Sequence, residues 1–121
     1  MKINFKRVEA KSGNVDSIVF FLHGYGADGA DLLSIGEVLS EHLPNTLFIA
    51  PDAPSKCSMS PVGFQWFPIP WIDGSSEKEA SEALETVSKL VDQWMDGIIK
   101  SESVEAKNVF LFGFSQGTML S

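Results

Sequence analysis

The sequence predicts an α/β fold, a mostly parallel sheet with helices on both faces. Three observations carry that expectation. The runs "SIVFFLH", "TLFIAP" and "NVFLFGF" are continuous, β-branched or aromatic, and suited to strands covered on both sides. Segments with helical periodicity lie between them. Apolar strands alternating with helices call for parallel pairing through right-handed crossovers.

Taken in order, "KINFKRVE" alternates apolar and polar residues as a half-buried strand does. After "SIVFFLH", the segment "GADLLSIGEVLSEHL" places Leu32, Ile35, Leu39 and Leu43 at helical spacing, which predicts a crossover helix. "TLFIAP" follows as the next strand. Residues 52–75, "DAPSKCSMSPVGFQWFPIPWIDGS", then show no period but are rich in proline and aromatics. Long irregular segments in compact domains are often binding loops or lids, although aromatics in such a loop can equally serve to cover the core. Ser76 and Glu79 form a capping-box pattern. Behind it Ala80, Ala83, Leu84, Val87, Leu90, Val91, Trp94 and Ile98 make one apolar face, predicting a helix over about residues 77–100.

A chain of 121 residues bounds a single domain. Its net charge of −7 argues against nucleic acid or an anionic membrane surface as partner. Cys57 is the only cysteine, so no intrachain disulfide forms, and a buried or idle thiol is expected. The opening residues show no apolar signal-peptide core and no run reaches membrane-spanning length, so a cytoplasmic protein without a stable membrane anchor is expected.

Two turns could carry chemistry. Residues 23–29, "HGYGADG", end one strand and open a helix. Gly24, Gly26 and Gly29 spell G-x-G-x-x-G, with Asp52 placed where a ribose-binding acid could sit, so a dinucleotide site is one possibility. The other is an oxyanion loop, whose small residues let a backbone amide point at a developing alkoxide. Residues 113–117, "GFSQG", match G-x-S-x-G, the turn that presents a nucleophilic serine between a strand and a helix. A chain of this composition contains that match by chance roughly 0.1 times. Its place after an apolar strand, together with the upstream H-G-x-G turn, strengthens it, while a purely structural strand-to-helix turn stays open.

The segments "FFLHGYGADGADL", "LFIAPDAP", "GFQWFPI" and "NVFLFGFSQGTML" occur in the order and spacing of the phospholipase/carboxylesterase family, which includes acyl-protein thioesterase-like α/β-hydrolases. The chain resembles that family from about Ser17 onward. The resemblance implies Ser115 as nucleophile, and the backbone amides of Tyr25 and Gln116 as oxyanion donors. It implies His23, Gly24, Gly26, Gly113 and Gly117 as support for the two turns, and Gln65, Trp66 and Phe67 as walls of an acyl pocket. His23 is expected to orient its loop through hydrogen bonds and not to act as the base. Thr118 stands where many relatives carry a further glycine. The implied substrate is a small acyl ester or thioester, with no metal or organic cofactor.

In α/β-hydrolases the triad acid and histidine follow the serine in the chain. Only "QGTMLS" follows Ser115, and the only histidines are His23 and His42. The expectation is therefore the amino-terminal part of a single α/β-hydrolase domain over residues 1–121, truncated after the nucleophile elbow and with little activity alone. A noncatalytic binding or assembly module, self-associating through an exposed sheet edge, is the alternative, with a dinucleotide-binding domain behind it.

Overall fold

A computed structural model describes residues 3–57 and 63–117. A four-stranded sheet organises the chain, in the order β1-β3-β2-β6. β1 (Phe5–Val8) lies antiparallel to β3 (Thr46–Pro51), whereas β2 (Ser17–Leu22) runs parallel to β3 and to β6 (Val109–Gly113). The register pairs Ser17 with Thr46 at one end of β2 and Leu22 with Gly113 at the other. The parallel sheet expected from the apolar runs is therefore present, with one antiparallel edge strand.

The crossover from β2 to β3 uses α1 (Gly29–Leu39), and the crossover from β3 to β6 uses α3 (Glu77–Glu102). These connections step in opposite directions across the sheet, so right-handed crossovers must place the two helices on opposite faces. They do. Phe21, Phe48 and Ala50 pack with Leu33 and, at the margin, Leu32 and Leu39 of α1. Ile18, Phe20, Leu47 and Ile49 point the other way, against Trp94, Met95, Ile98 and Ile99 of α3. The alternation along each strand sorts the two cores.

α3 begins where the capping pattern predicts, with the Ser76 hydroxyl accepting from the Glu79 amide at 3.0 Å, and it buries Val87 and Val91. Its end lies two residues beyond the expected one, at a Ser103 cap in the left-handed region, φ 57°. α1 departs further from expectation. The helix stops at Leu39, and Ile35 and Leu43 are exposed, so the predicted Leu32, Ile35, Leu39, Leu43 stripe is not its buried face. The buried side is Gly29, Leu33 and Gly36. A Cβ on Gly36 would stand 2.9 Å from the Phe48 Cβ, so the helix approaches the sheet through a glycine, which a search for large apolar residues overlooks.

The aromatic excursion is more ordered than its sequence suggests. β4 (Ser55–Lys56) pairs antiparallel with β5 (Phe64–Gln65), and the short helix α2 (Pro70–Asp73) follows. Cys57 is buried, as expected. Phe110, Leu111 and Phe112 of β6 are 54%, 43% and 45% exposed, because β6 is the edge of the described sheet. Among the described residues, no helix is long and apolar enough to cross a membrane. Residues 118–121, including Thr118, lie outside the described residues, as do residues 1–2 and 58–62.

Candidate active site

β2 and β6 end level with one another, and each hands on to one of the two turns singled out in the sequence. Ser115 lies two residues past β6 with φ 55°, a left-handed conformation that costs a non-glycine residue about 1–3 kcal/mol. The side chain is thrown clear of the sheet and exposed. The turn is closed by the Gly117 amide donating to the Phe114 carbonyl at 3.0 Å, and is tied to β2 by the Phe114 amide donating to the Leu22 carbonyl at 3.1 Å. Gly117 lies so close to β2 that a Cβ there would fall 1.9 Å from the Leu22 oxygen. Only glycine fits. Gly113 closes β6 opposite Leu22.

The H-G-Y-G turn meets this elbow directly. A Cβ on Gly24 would lie 3.2 Å from both the Ser115 Cβ and the Phe114 carbonyl oxygen. Gly26, at φ 81°, donates its amide to the Phe64 carbonyl at 2.9 Å, while Phe64 donates to Ala27 at the same distance. The turn is thereby stitched to the aromatic loop. Gly63 permits this stitching, because a Cβ on it would overlap the Gly26 carbonyl at 1.9 Å. The Tyr25 hydroxyl faces the Asp73 carboxylate at 3.4 Å.

Beneath the turn, His23 is fully buried and committed at both ring nitrogens. Nε2 accepts from the Ala53 amide at 2.9 Å, and Nδ1 lies 2.8 Å from the Gly24 carbonyl. Only the neutral tautomer with its proton on Nδ1 satisfies both partners. Burial pushes the imidazole below its usual range, against the opposing pull of the Gly24 carbonyl and of Asp52, Asp28 and Asp31. The ring stacks on Trp66, whose indole N–H donates to the His23 carbonyl at 2.8 Å.

His42 follows α1, close to Thr46, whose amide donates to Leu43. Thr46 pairs with Ser17, at the end of β2 opposite Leu22 and the elbow. The five steps between Ser17 and Leu22 span about 17 Å of strand, and His42 lies beyond the end away from Ser115. Base catalysis needs contact within about 3 Å. Neither histidine is placed to take the Ser115 proton.

A cavity of about 290 Å³ opens beside Ser115, lined also by Gln116, Phe67, Pro68, Ile69, Pro70, Trp71 and Ala80. Of the three residues expected to wall a pocket, Phe67 is there. Trp66, in the network with His23, lines a separate cavity of about 410 Å³ together with Pro68 and the α3 residues Ala83 and Val87, and Gln65 is buried in β5, where its Oε1 has no partner among the described residues. Sequence reasoning missed the α2 wall and its anchor Asp73. That carboxylate accepts from the Ile69 amide at 2.9 Å and from the Ser75 hydroxyl and amide at 2.6 and 2.9 Å. Those Ser75 donors hold it below the usual carboxylate range. The Asp-Gly-Ser sequence after "PWI" was the available signal.

The G-x-G-x-x-G match has a different use from phosphate binding. Asp52 Oδ1 accepts from the Gly29 amide at 2.8 Å, and Asp28 and Asp31 cap each other's amides in a reciprocal box. The α1 N-terminus is filled by the chain's own carboxylates, which would repel a pyrophosphate.

The sequence profile of the phospholipase/carboxylesterase family matches residues 3–121. The chain belongs to this family. It is 32% identical to the probable carboxylesterase SOBER1-like of Arabidopsis thaliana, over 87% of this chain and 42% of that protein. It is 26% identical to acyl-protein thioesterase 1 of Kluyveromyces lactis, over 100% of this chain and 55% of that one. Among solved structures, esterase PE8 superposes with a TM-score of 0.89 at 32% identity, covering 99% of this chain and 55% of its own. The acyl-protein thioesterase 2 of Zea mays does so with a TM-score of 0.63 at 27% identity, covering 97% and 48%. The chain spans about half the length of the relatives it matches. With the α1 N-terminus filled, family membership sets the dinucleotide alternative aside.

Two predictions follow from this geometry. Gly117→Ala should destabilise the protein by about 3 kcal/mol or more, since the added methyl meets backbone and not a movable side chain. Gly97→Ala, at a position of α3 with nothing within 4 Å, should instead gain up to about 1 kcal/mol. Urea unfolding of both variants decides it, and equal effects would contradict the assigned contact.

The second concerns His23. Its folded-state proton affinity lies below the ordinary value of 6.5, so the unfolded chain takes up this proton first as pH falls. The His23 contribution is complete above pH 6.5 and is lost as pH drops below it, with a slope of at most about 1.4 kcal/mol per pH unit. Urea midpoints between pH 8 and 5 should fall for the wild type, and fall less for His23→Gln over the same range.

Proposed function

We propose that this chain supplies the nucleophile and oxyanion donors of a serine hydrolase acting on carboxylic esters or thioesters. Ser115 attacks the acyl carbonyl, the Tyr25 and Gln116 backbone amides hold the resulting oxyanion, and the leaving group departs to give an acyl-enzyme that water then cleaves. The observation that carries this is the strained Ser115, exposed and in contact range of the H-G-Y-G turn. The carboxylesterase and thioesterase relatives support the substrate class, in which the acyl group sits on a small ester, a lysophospholipid or a protein thioester. A cytoplasmic setting and partners other than nucleic acid fit the single cysteine and the net charge of −7.

The general base and its orienting acid belong, in this proposal, to polypeptide other than the described residues, because His23 is committed and His42 is remote. The purified 121-residue chain should therefore turn over p-nitrophenyl butyrate at close to the background rate, and should form an adduct on Ser115 with an alkyl fluorophosphonate, absent in Ser115→Ala, only when a small exogenous base such as imidazole is supplied. Robust turnover abolished by Ser115→Ala would place a base within the chain. Absence of any adduct even with the exogenous base would remove Ser115 as nucleophile.

A second possibility, a noncatalytic assembly module, is favoured by the open β6 edge. Its exposed Phe110, Leu111 and Phe112 offer apolar surface to an added strand, as does Phe114 just beyond. Sedimentation should then show concentration-dependent association that weakens in Phe110→Lys, whereas a monomer at all concentrations would exclude self-association by this edge.

A further inference from the structure

The residue after the nucleophile carries a side chain whose bonding no catalytic role requires. Gln116 is 2% exposed. Its Oε1 accepts from the Trp66 amide at 2.8 Å, and its Nε2 donates to the Phe67 carbonyl at 2.7 Å. One planar carboxamide thus satisfies a donor and an acceptor of consecutive loop residues, while its own backbone belongs to the elbow. Trp66 is held again through its indole N–H on the His23 carbonyl. From Phe67 onward the same loop becomes the wall of the cavity beside Ser115. Moving that wall relative to the serine means breaking both carboxamide bonds.

We infer that the Gln116 side chain is a positioning residue that fixes the distance between Ser115 and the wall formed by residues 67–71, and thereby sets which acyl chain lengths the site accepts. This rests on Ser115 being the nucleophile and is separate from the role proposed for the Gln116 backbone amide. The chemistry is specific to a carboxamide. An ionised glutamate would set a carboxylate oxygen against the Phe67 carbonyl, two acceptors without a proton between them. A protonated glutamate has the donor and acceptor of glutamine in nearly the same places. Methionine fills similar volume with neither.

Gln116→Glu and Gln116→Met in the full 121-residue chain separate positioning from mere packing. The measurements are amide deuterium exchange at Trp66 and the ratio of Ser115 labelling rates by short-chain and long-chain alkyl fluorophosphonates, with a small exogenous base such as imidazole supplied at the same concentration throughout. At pH 8 both variants should lose Trp66 protection, and the labelling ratio should change by about tenfold, since misplacement of about 1 Å can cost that much or more. At pH 5.5 Gln116→Glu should return towards the wild-type ratio, because burial raises a carboxyl's proton affinity, while Gln116→Met should not. His23 lies across the Trp66 ring, so each variant is compared with wild type at the same pH. Protection lost with an unchanged ratio would reduce Gln116 to a structural tie. Protection retained in Gln116→Met would show that the carboxamide does not hold the loop. A wild type that resists both probes with the exogenous base present would overturn the nucleophile assignment, and this role with it.

Discussion

Everything at the site depends on two parallel strands that finish at the same level. Pairing of Leu22 with Gly113 brings the turn after β2 and the turn after β6 into contact, and backbone, not side chains, makes that contact. Gly117 on Leu22 and Gly63 on Gly26 are places where main chain meets main chain at distances that leave no space for a larger residue, and Gly24 on Ser115 is a third close approach, where a Cβ would require its neighbours to give by a few tenths of an ångström. A nucleophile and an amide donor can be held within an ångström or so by such contacts, because backbone has far fewer ways to relax than a side chain has. The positive φ of Ser115 is the cost of this arrangement, sustained by the hydrogen bonds of Phe114 and Gly117 on either side.

A second layer beneath these contacts is polar, buried and nearly fully satisfied. His23, Trp66, Gln116, Ala53 and Phe67 exchange donors and acceptors so that the strand end, the elbow and the aromatic loop share one network. In a low-dielectric setting such a network favours one arrangement, because each alternative strands at least one polar group. A charged imidazole would break it at the Ala53 amide. This is why the histidine of the H-G-Y-G turn is a structural element whose function depends on remaining neutral.

Much of this was legible in the sequence. The three apolar runs became β2, β3 and β6, the Ser76 cap and the face from Ala80 to Ile98 became α3, and the two glycine-bearing turns fell beside one another. What escaped was whatever depends on contacts between distant segments. The buried face of α1 runs through Gly29 and Gly36, and glycine registers in no apolar period. The resemblance implies a pocket-wall role for Trp66, but nothing local shows that its indole N–H bonds the His23 carbonyl, 43 residues away in sequence. Nothing local announces that Gln116 bonds a loop 49 and 50 residues earlier.

β6 joins the geometry of the sheet to the chemistry of the serine. A strand apolar on both faces belongs in the interior of a sheet, yet here it is the outermost described strand, with Phe110 and Phe112 on one side of Leu111 in the alternation and all three exposed. Ser115 stands just past the end of that same strand, with no histidine among the described residues placed to serve it as base. The two deficits share a location. Polypeptide that continued the sheet beyond β6 would cover the apolar faces, and the loops at the ends of its strands would arrive on the Ser115 side, where parallel strands deliver their functional residues. Burial of β6 and, in the proposed reaction, activation of Ser115 are therefore coupled requirements: the hydrophobic surface that stabilises such an addition is contiguous with the strand that positions the proposed nucleophile.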